Sequence, residues 1–117
     1  MMDTSLTSLS DRFRPFAEAF LWKCQHLGIP IVVVCTRRTD AEQSDCLARG
    51  VSWTTHSKHL TGDAIDVATR ELMAMKNWGP GDPEWTRIGE IGESLGLVWG
   101  GRFHRPDWGH FEIKENP

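Results

Sequence analysis

Apolar side chains at Leu6, Leu9, Phe13, Phe16, Phe20, Cys24 and Leu27 recur three or four residues apart, so the first thirty residues read as helical with one stripe of core residues. Pro15 suits the first turn of the main helix, after a shorter helical piece, and Gly28 with Pro30 ends it. The unbroken run Ile-Val-Val-Val-Cys at 31–35 predicts a strand covered on both faces. Thr39-x-x-Glu42 is a capping box, which starts a short helix ending near Arg49 with Gly50 as its left-handed cap. From Ala64 the pattern alternates: Ile65 and Val67 point to one face, Ala64, Asp66 and Ala68 to the other. Asp82 and Pro83 open a further helix with Ile88, Ile91 and Leu95 facing inward, and Gly96 ends it. The order predicts an α+β fold: a small antiparallel sheet from 31–35, 64–68, 97–99 and 109–113, helices packed on one side, and an open groove on the other.

The alternation strands Asp66 on a face otherwise lined by alanine, where a carboxylate needs a partner or a cation. Gly62 lets the chain turn so that His59 returns beside it. Near the end of the chain, His110 and Glu112 share one strand face while Phe111 and Ile113 share the other, so His110 projects into the same groove. His59, Asp66 and His110 make a three-ligand set of the kind that holds zinc with one position open; manganese or iron also suits these ligand types. Asp107, three residues before His110, is near enough to serve as general base. Ser57 lies two residues before His59, where its hydroxyl can bond a ligand or the turn backbone. His56 is either a further contact to a ligand residue or substrate, or a surface histidine.

These residues carry a resemblance. Ser57-x-His59-x-x-Gly62-x-Ala64-x-Asp66, followed some forty residues later by Asp107-x-x-His110-Phe111, resembles the zinc peptidase family of D-alanyl-D-alanine carboxypeptidases and phage L-alanyl-D-glutamate endopeptidases, within the superfamily that also holds lysostaphin and hedgehog-type domains. The segment Thr36-Arg37-Arg38-Thr39-Asp40-Ala41-Glu42-Gln43 resembles the family's third block. The chain departs from that block at Arg37, where the family carries an aromatic residue. The resemblance implies one zinc held by His59, Asp66 and His110, Asp107 as catalytic base, and Arg38 polarising the scissile carbonyl, with Arg37 and Gln43 either touching the substrate or supporting the residues that do. It implies cleavage of the L-Ala to D-Glu bond in peptidoglycan stem peptides. The alternatives are removal of terminal D-Ala, or a zinc-containing domain that binds without cleaving. The carboxylates of a stem peptide give Arg37, Arg38 and Arg102 an electrostatic task.

Composition narrows the picture. The 117 residues suit one catalytic domain, 1–117, read here as a monomer. A net charge of −3 provides no basic footprint for nucleic acid. Cys24, Cys35 and Cys46 are odd in number and lack Cys-x-x-Cys spacing, so reduced, buried thiols are expected. No run of eighteen apolar residues and no basic, apolar leader occurs. The expectation is cytoplasmic synthesis without a signal peptide or membrane insertion, and access to the cell wall through a pore-forming partner of the holin kind.

Overall fold

A computed structural model describes residues 2–50, 57–77, 79 and 81–115. After a 3-10 turn at Leu6–Ser8 come helix α1 (Arg14–His26), strand β1 (Ile31–Cys35), helix α2 (Asp40–Ala48), a 3-10 turn at Lys58–Thr61 and strand β2 (Ala64–Thr69). Helices α3 (Arg70–Ala74) and α4 (Pro83–Ser94) follow, then strand β3 (Val98–Trp99), a 3-10 turn at Gly100–Arg102 and strand β4 (His110–Glu112). The four strands form one antiparallel sheet in the order β1-β2-β4-β3. This is the expected α+β architecture.

Local chemistry explains the boundaries. The Thr39 hydroxyl accepts from the Glu42 amide while the Glu42 carboxylate accepts from the Thr39 amide, so both halves of the capping box form. Asp82 caps α4 with Pro83 in its first turn, and Gly50 adopts φ +73 beyond α2.

Helices α1 and α4 pack on the face of the sheet that carries Ile65, Val67 and Phe111. Phe13 at the N-cap of α1 and Ala17, Phe20 and Cys24 from the helix meet Trp85, Ile88 and Ile91 from α4 there, and the Phe20 and Phe111 rings lie 4.4 Å apart. Two details differ from the sequence reading. Phe16 and Leu27 are 44% and 42% exposed. Phe16 falls about 60° around the helix from Phe13, at the stripe's edge, and Ala17 takes the inward position; Leu27 is the C-cap, beyond the last full turn. Strand β1 is an edge strand, with Ile31, Val32, Val33 and Val34 half-buried instead of covered on both sides. In an antiparallel sheet an edge strand gains cover from one neighbour only.

The register builds the polar groove. Asp66 pairs with His110 across β2 and β4 and with Cys35 across β1 and β2, where an irregularity separates Val33 from Cys35. On the sheet face away from α1 and α4, the alternation that sends Phe111 into the core sends His110 and Glu112 outward.

Candidate metal centre

Three segments converge. His59 comes from the 3-10 turn before β2, Asp66 from the middle of β2, and His110 from the start of β4. Gly62 makes the first approach possible. Its φ of +76 is in the left-handed region, and a Cβ there would lie 2.8 Å from the Ser10 nitrogen and 2.9 Å from the Ser8 carbonyl oxygen. The Ser57 hydroxyl accepts from the His59 amide and so caps the turn.

One carboxylate oxygen gathers the site. Asp66 Oδ1 lies 3.0 Å from His59 Nε2 and 3.1 Å from His110 Nδ1, while Asp66 Oδ2 accepts from Arg38 at 3.1 Å. Asp107 Oδ2 is 3.9 Å from His110 Nδ1, with its side chain 49% exposed at the mouth of the groove. The imidazoles are buried, 5.1 Å apart and edge to face. Among the described residues, Asp66, Asp107 and His110 form one group of potential ligands and Cys35, His59 and Asp66 another.

The donor set fits a cation. His59 Nδ1 lies 2.7 Å from the Thr36 carbonyl oxygen, which can only accept, so Nδ1 carries the proton. In the neutral ring Nε2 then presents a lone pair. That nitrogen is fully buried and makes no directed hydrogen bond, yet it faces Asp66 Oδ1. A lone pair against a carboxylate oxygen repels unless a proton or a metal ion lies between them. In the metal-free chain protons do this. Burial would lower the His59 pKa, but the nearby Asp66 charge outweighs it and raises it to about 9. His110 is raised to about 10, burial again being overcome by Asp66 and Glu112. Burial pushes Asp66 up, and the two imidazoles override it and hold the carboxyl below the usual range. Asp107 moves the other way: partial burial and then the Asp66 charge raise it.

The remaining expected residues sort out as follows. Arg38 is largely buried, donating to Gln43 Oε1 at 3.1 Å as well as to Asp66. Gln43 is 2% exposed, so it orients Arg38 and does not face substrate; its place on the inner side of α2 puts it there. Arg37 is exposed and lines, with Arg38, Asp40 and Glu42, a cavity of about 550 Å³. Arg102 is committed to Glu93 through two hydrogen bonds and lies 5.0 Å over the Trp99 ring, so it is not a free anion contact. His56 lies outside the described residues. The sequence reading missed Thr36, whose backbone carbonyl carries the contact and leaves no side-chain signal. It also missed Lys58 and Glu112, although Glu112 is one strand repeat from His110.

The family of D-alanyl-D-alanine carboxypeptidases matches residues 50–113. An L-alanyl-D-glutamate peptidase of Listeria phage A118 is 28% identical over 108 residues, covering 92% of this chain and 36% of that protein; the chain thus spans little more than a third of this relative. Among solved structures, the Serratia marcescens L-Ala D-Glu endopeptidase ChiX superposes with a TM-score of 0.70 at 21% identity, covering 97% of this chain and 90% of that one. The vancomycin-resistance D,D-pentapeptidase VanY from a VanB-type cassette, in complex with Zn(II), superposes with a TM-score of 0.63 at 13% identity, covering 90% and 72%. These two likenesses establish a shared fold. The family match takes in His59, Asp66, Asp107 and His110 and extends over more than half of the 117 residues, and on it the chain belongs to the D-alanyl-D-alanine carboxypeptidase family of peptidases.

Proposed function

We propose that the chain is the catalytic domain of a zinc-dependent peptidoglycan peptidase that hydrolyses the L-alanyl-D-glutamate bond of stem peptides. The observation that carries the proposal is the buried, unbonded His59 Nε2 directed at Asp66 Oδ1 beside His110 Nδ1, with the Asp107 carboxylate 3.9 Å away. Two imidazoles and one carboxylate suit zinc with an open position. His59, Asp66 and His110 are the proposed ligands. When bound, zinc supplies Lewis acidity, which lowers the pKa of water toward about 7 and polarises a carbonyl.

The chain's own groups do the rest. Asp107 takes a proton from the attacking water and returns it to the leaving amine, a role suited to a carboxyl whose proton affinity is raised by burial and by Asp66. Arg38 holds Asp66 Oδ2, so Oδ1 stays turned toward the imidazoles. The Arg38 guanidinium has five N–H donors, of which the contacts to Gln43 and Asp66 use one each, so it keeps donors to polarise the scissile carbonyl. Arg37, exposed on the neighbouring cavity wall, is the cation available to a stem-peptide carboxylate.

The bond assignment follows the phage relative and the Serratia endopeptidase, both named for L-Ala to D-Glu cleavage. The second reading, removal of terminal D-Ala, is favoured by the description of the matched family. The site of action is the cell wall and the active form a monomer; no helix among the described residues is long and apolar enough to cross a membrane. Digestion of purified, uncrosslinked peptidoglycan with zinc-loaded and with chelated protein tests the assignment. New D-Glu amino termini that vanish on chelation are expected. Loss of terminal D-Ala would assign the carboxypeptidase, and no product at stoichiometric zinc would leave a binding domain.

A further inference from the structure

We infer that Glu112, itself held by Lys58, is a positioning residue that presents the Nδ1 lone pair of His110 to the metal. The inference rests on the zinc reading above. Glu112 Oε1 lies 2.8 Å from His110 Nε2, and its other oxygen lies 3.1 Å from Lys58 Nζ. An ionised carboxylate only accepts, so the Nε2 facing it carries the proton. The lone pair is thereby confined to Nδ1, the nitrogen that faces Asp66 at 3.1 Å and Asp107 at 3.9 Å. The opposite tautomer would set a lone pair against Glu112 and close Nδ1 to a cation.

The anchor of Glu112 is not generic. Lys58 donates to the Ile113 carbonyl at 3.0 Å as well as pairing with Glu112, and it immediately precedes His59. One ammonium group therefore ties the turn that carries His59 to the strand that carries His110. Both carboxylate oxygens of Glu112 are used, and its side chain is only 18% exposed. Glu112 touches the imidazole on the edge away from Asp66, so it acts through His110 and not on substrate. His59 has the equivalent support from the Thr36 carbonyl, and Asp66 from Arg38. Each proposed ligand is thus oriented by one partner, and for His110 that partner is a carboxylate, the arrangement that raises ligand basicity.

The test compares zinc affinity, read by chelator competition, for the wild type, Glu112→Ala, Glu112→Gln and Glu112→Asp, with metal-free melting as a check on folding. Loss of the acceptor in E112A is expected to weaken zinc binding about 10- to 100-fold. E112Q keeps an acceptor oxygen at the same reach but loses the charge that raises ligand basicity and sets its amide NH2 against Lys58, so it should weaken binding by less than E112A. E112D keeps the charge but draws it back by one methylene, and should weaken binding nearly as much as E112A. In zinc-loaded wild type the His110 Nε2 proton should appear as a slowly exchanging imidazole resonance that E112A loses. Wild-type affinity in folded E112A overturns the inference, as does the reverse order in which E112D binds well and E112Q poorly. Should E112A fail to fold, the E112Q and E112D pair decides. A wild type that takes up no zinc would instead remove the zinc reading itself.

Discussion

Within the site, single atoms have separable tasks. Asp107 is 49% exposed and contacts the cluster only at 3.9 Å, whereas His110 is buried with both ring nitrogens engaged. Asp107→Ala should therefore keep stoichiometric zinc and lose about 10²- to 10⁴-fold in turnover, the range typical of a general base. His110→Ala should lose zinc and activity together. Metal analysis alongside product release separates the two, and wild-type turnover in Asp107→Ala would remove the assigned base. The convergence of His59, Asp66 and His110 was legible beforehand because strand alternation and one glycine turn leave few other arrangements. The partner of each ligand was not. Thr36 contributes a main-chain carbonyl, which no residue type signals, and the bonds of Arg38 to Asp66 and Gln43 had no counterpart in the sequence spacing.

At the scale of elements, the turn between His59 and β2 is the joint on which the cluster depends. Gly62 has φ +76, and its missing side chain makes room for the backbone of residues 8–10, whose Ser10 amide donates to the Gly62 carbonyl at 2.9 Å. Gly62→Ala adds both left-handed strain and a backbone clash, so a destabilisation of about 1–3 kcal/mol is expected, with weakened zinc binding because His59 moves with the turn. Urea unfolding and metal affinity measure the two effects; unchanged values in both would show that the turn tolerates a side chain. The glycine and the capping box of α2 were readable as local chemistry. The helix stripe was read one position too widely at Phe16, and β1 was taken as a covered strand, because a run of β-branched residues does not say whether a second neighbour exists.

Across the whole molecule, what joins the N-terminal segment to the sheet is another carboxylate that sequence spacing left unnoticed. Asp63, 4% exposed, accepts from Arg12, Ser10 and Thr61, bringing residues fifty positions apart onto one side chain. Its neighbour Asp66 drew the attention because alternation singles out a lone carboxylate; Asp63 precedes the strand, and Arg12 precedes α1, so no periodicity links them. Burial would raise the Asp63 pKa, but the hydrogen bonds from Arg12, Ser10 and Thr61 and the Arg12 charge hold it at about 2. The sign follows from linkage. A carboxylate whose folded pKa lies below its unfolded value of 3.8 contributes stability that is fully present above about pH 4, and that contribution drains away as pH falls from 3.8 toward 2. Asp63→Asn removes this contribution and leaves donors facing an amide, for an expected loss of about 1–3 kcal/mol at neutral pH. Unfolding by urea, with chelator present so that zinc release does not intrude, should then show the gap between wild type and Asp63→Asn narrowing between pH 4 and pH 2. A gap that stays constant over that interval would mean that the Asp63 cluster does not carry the acid sensitivity of the fold.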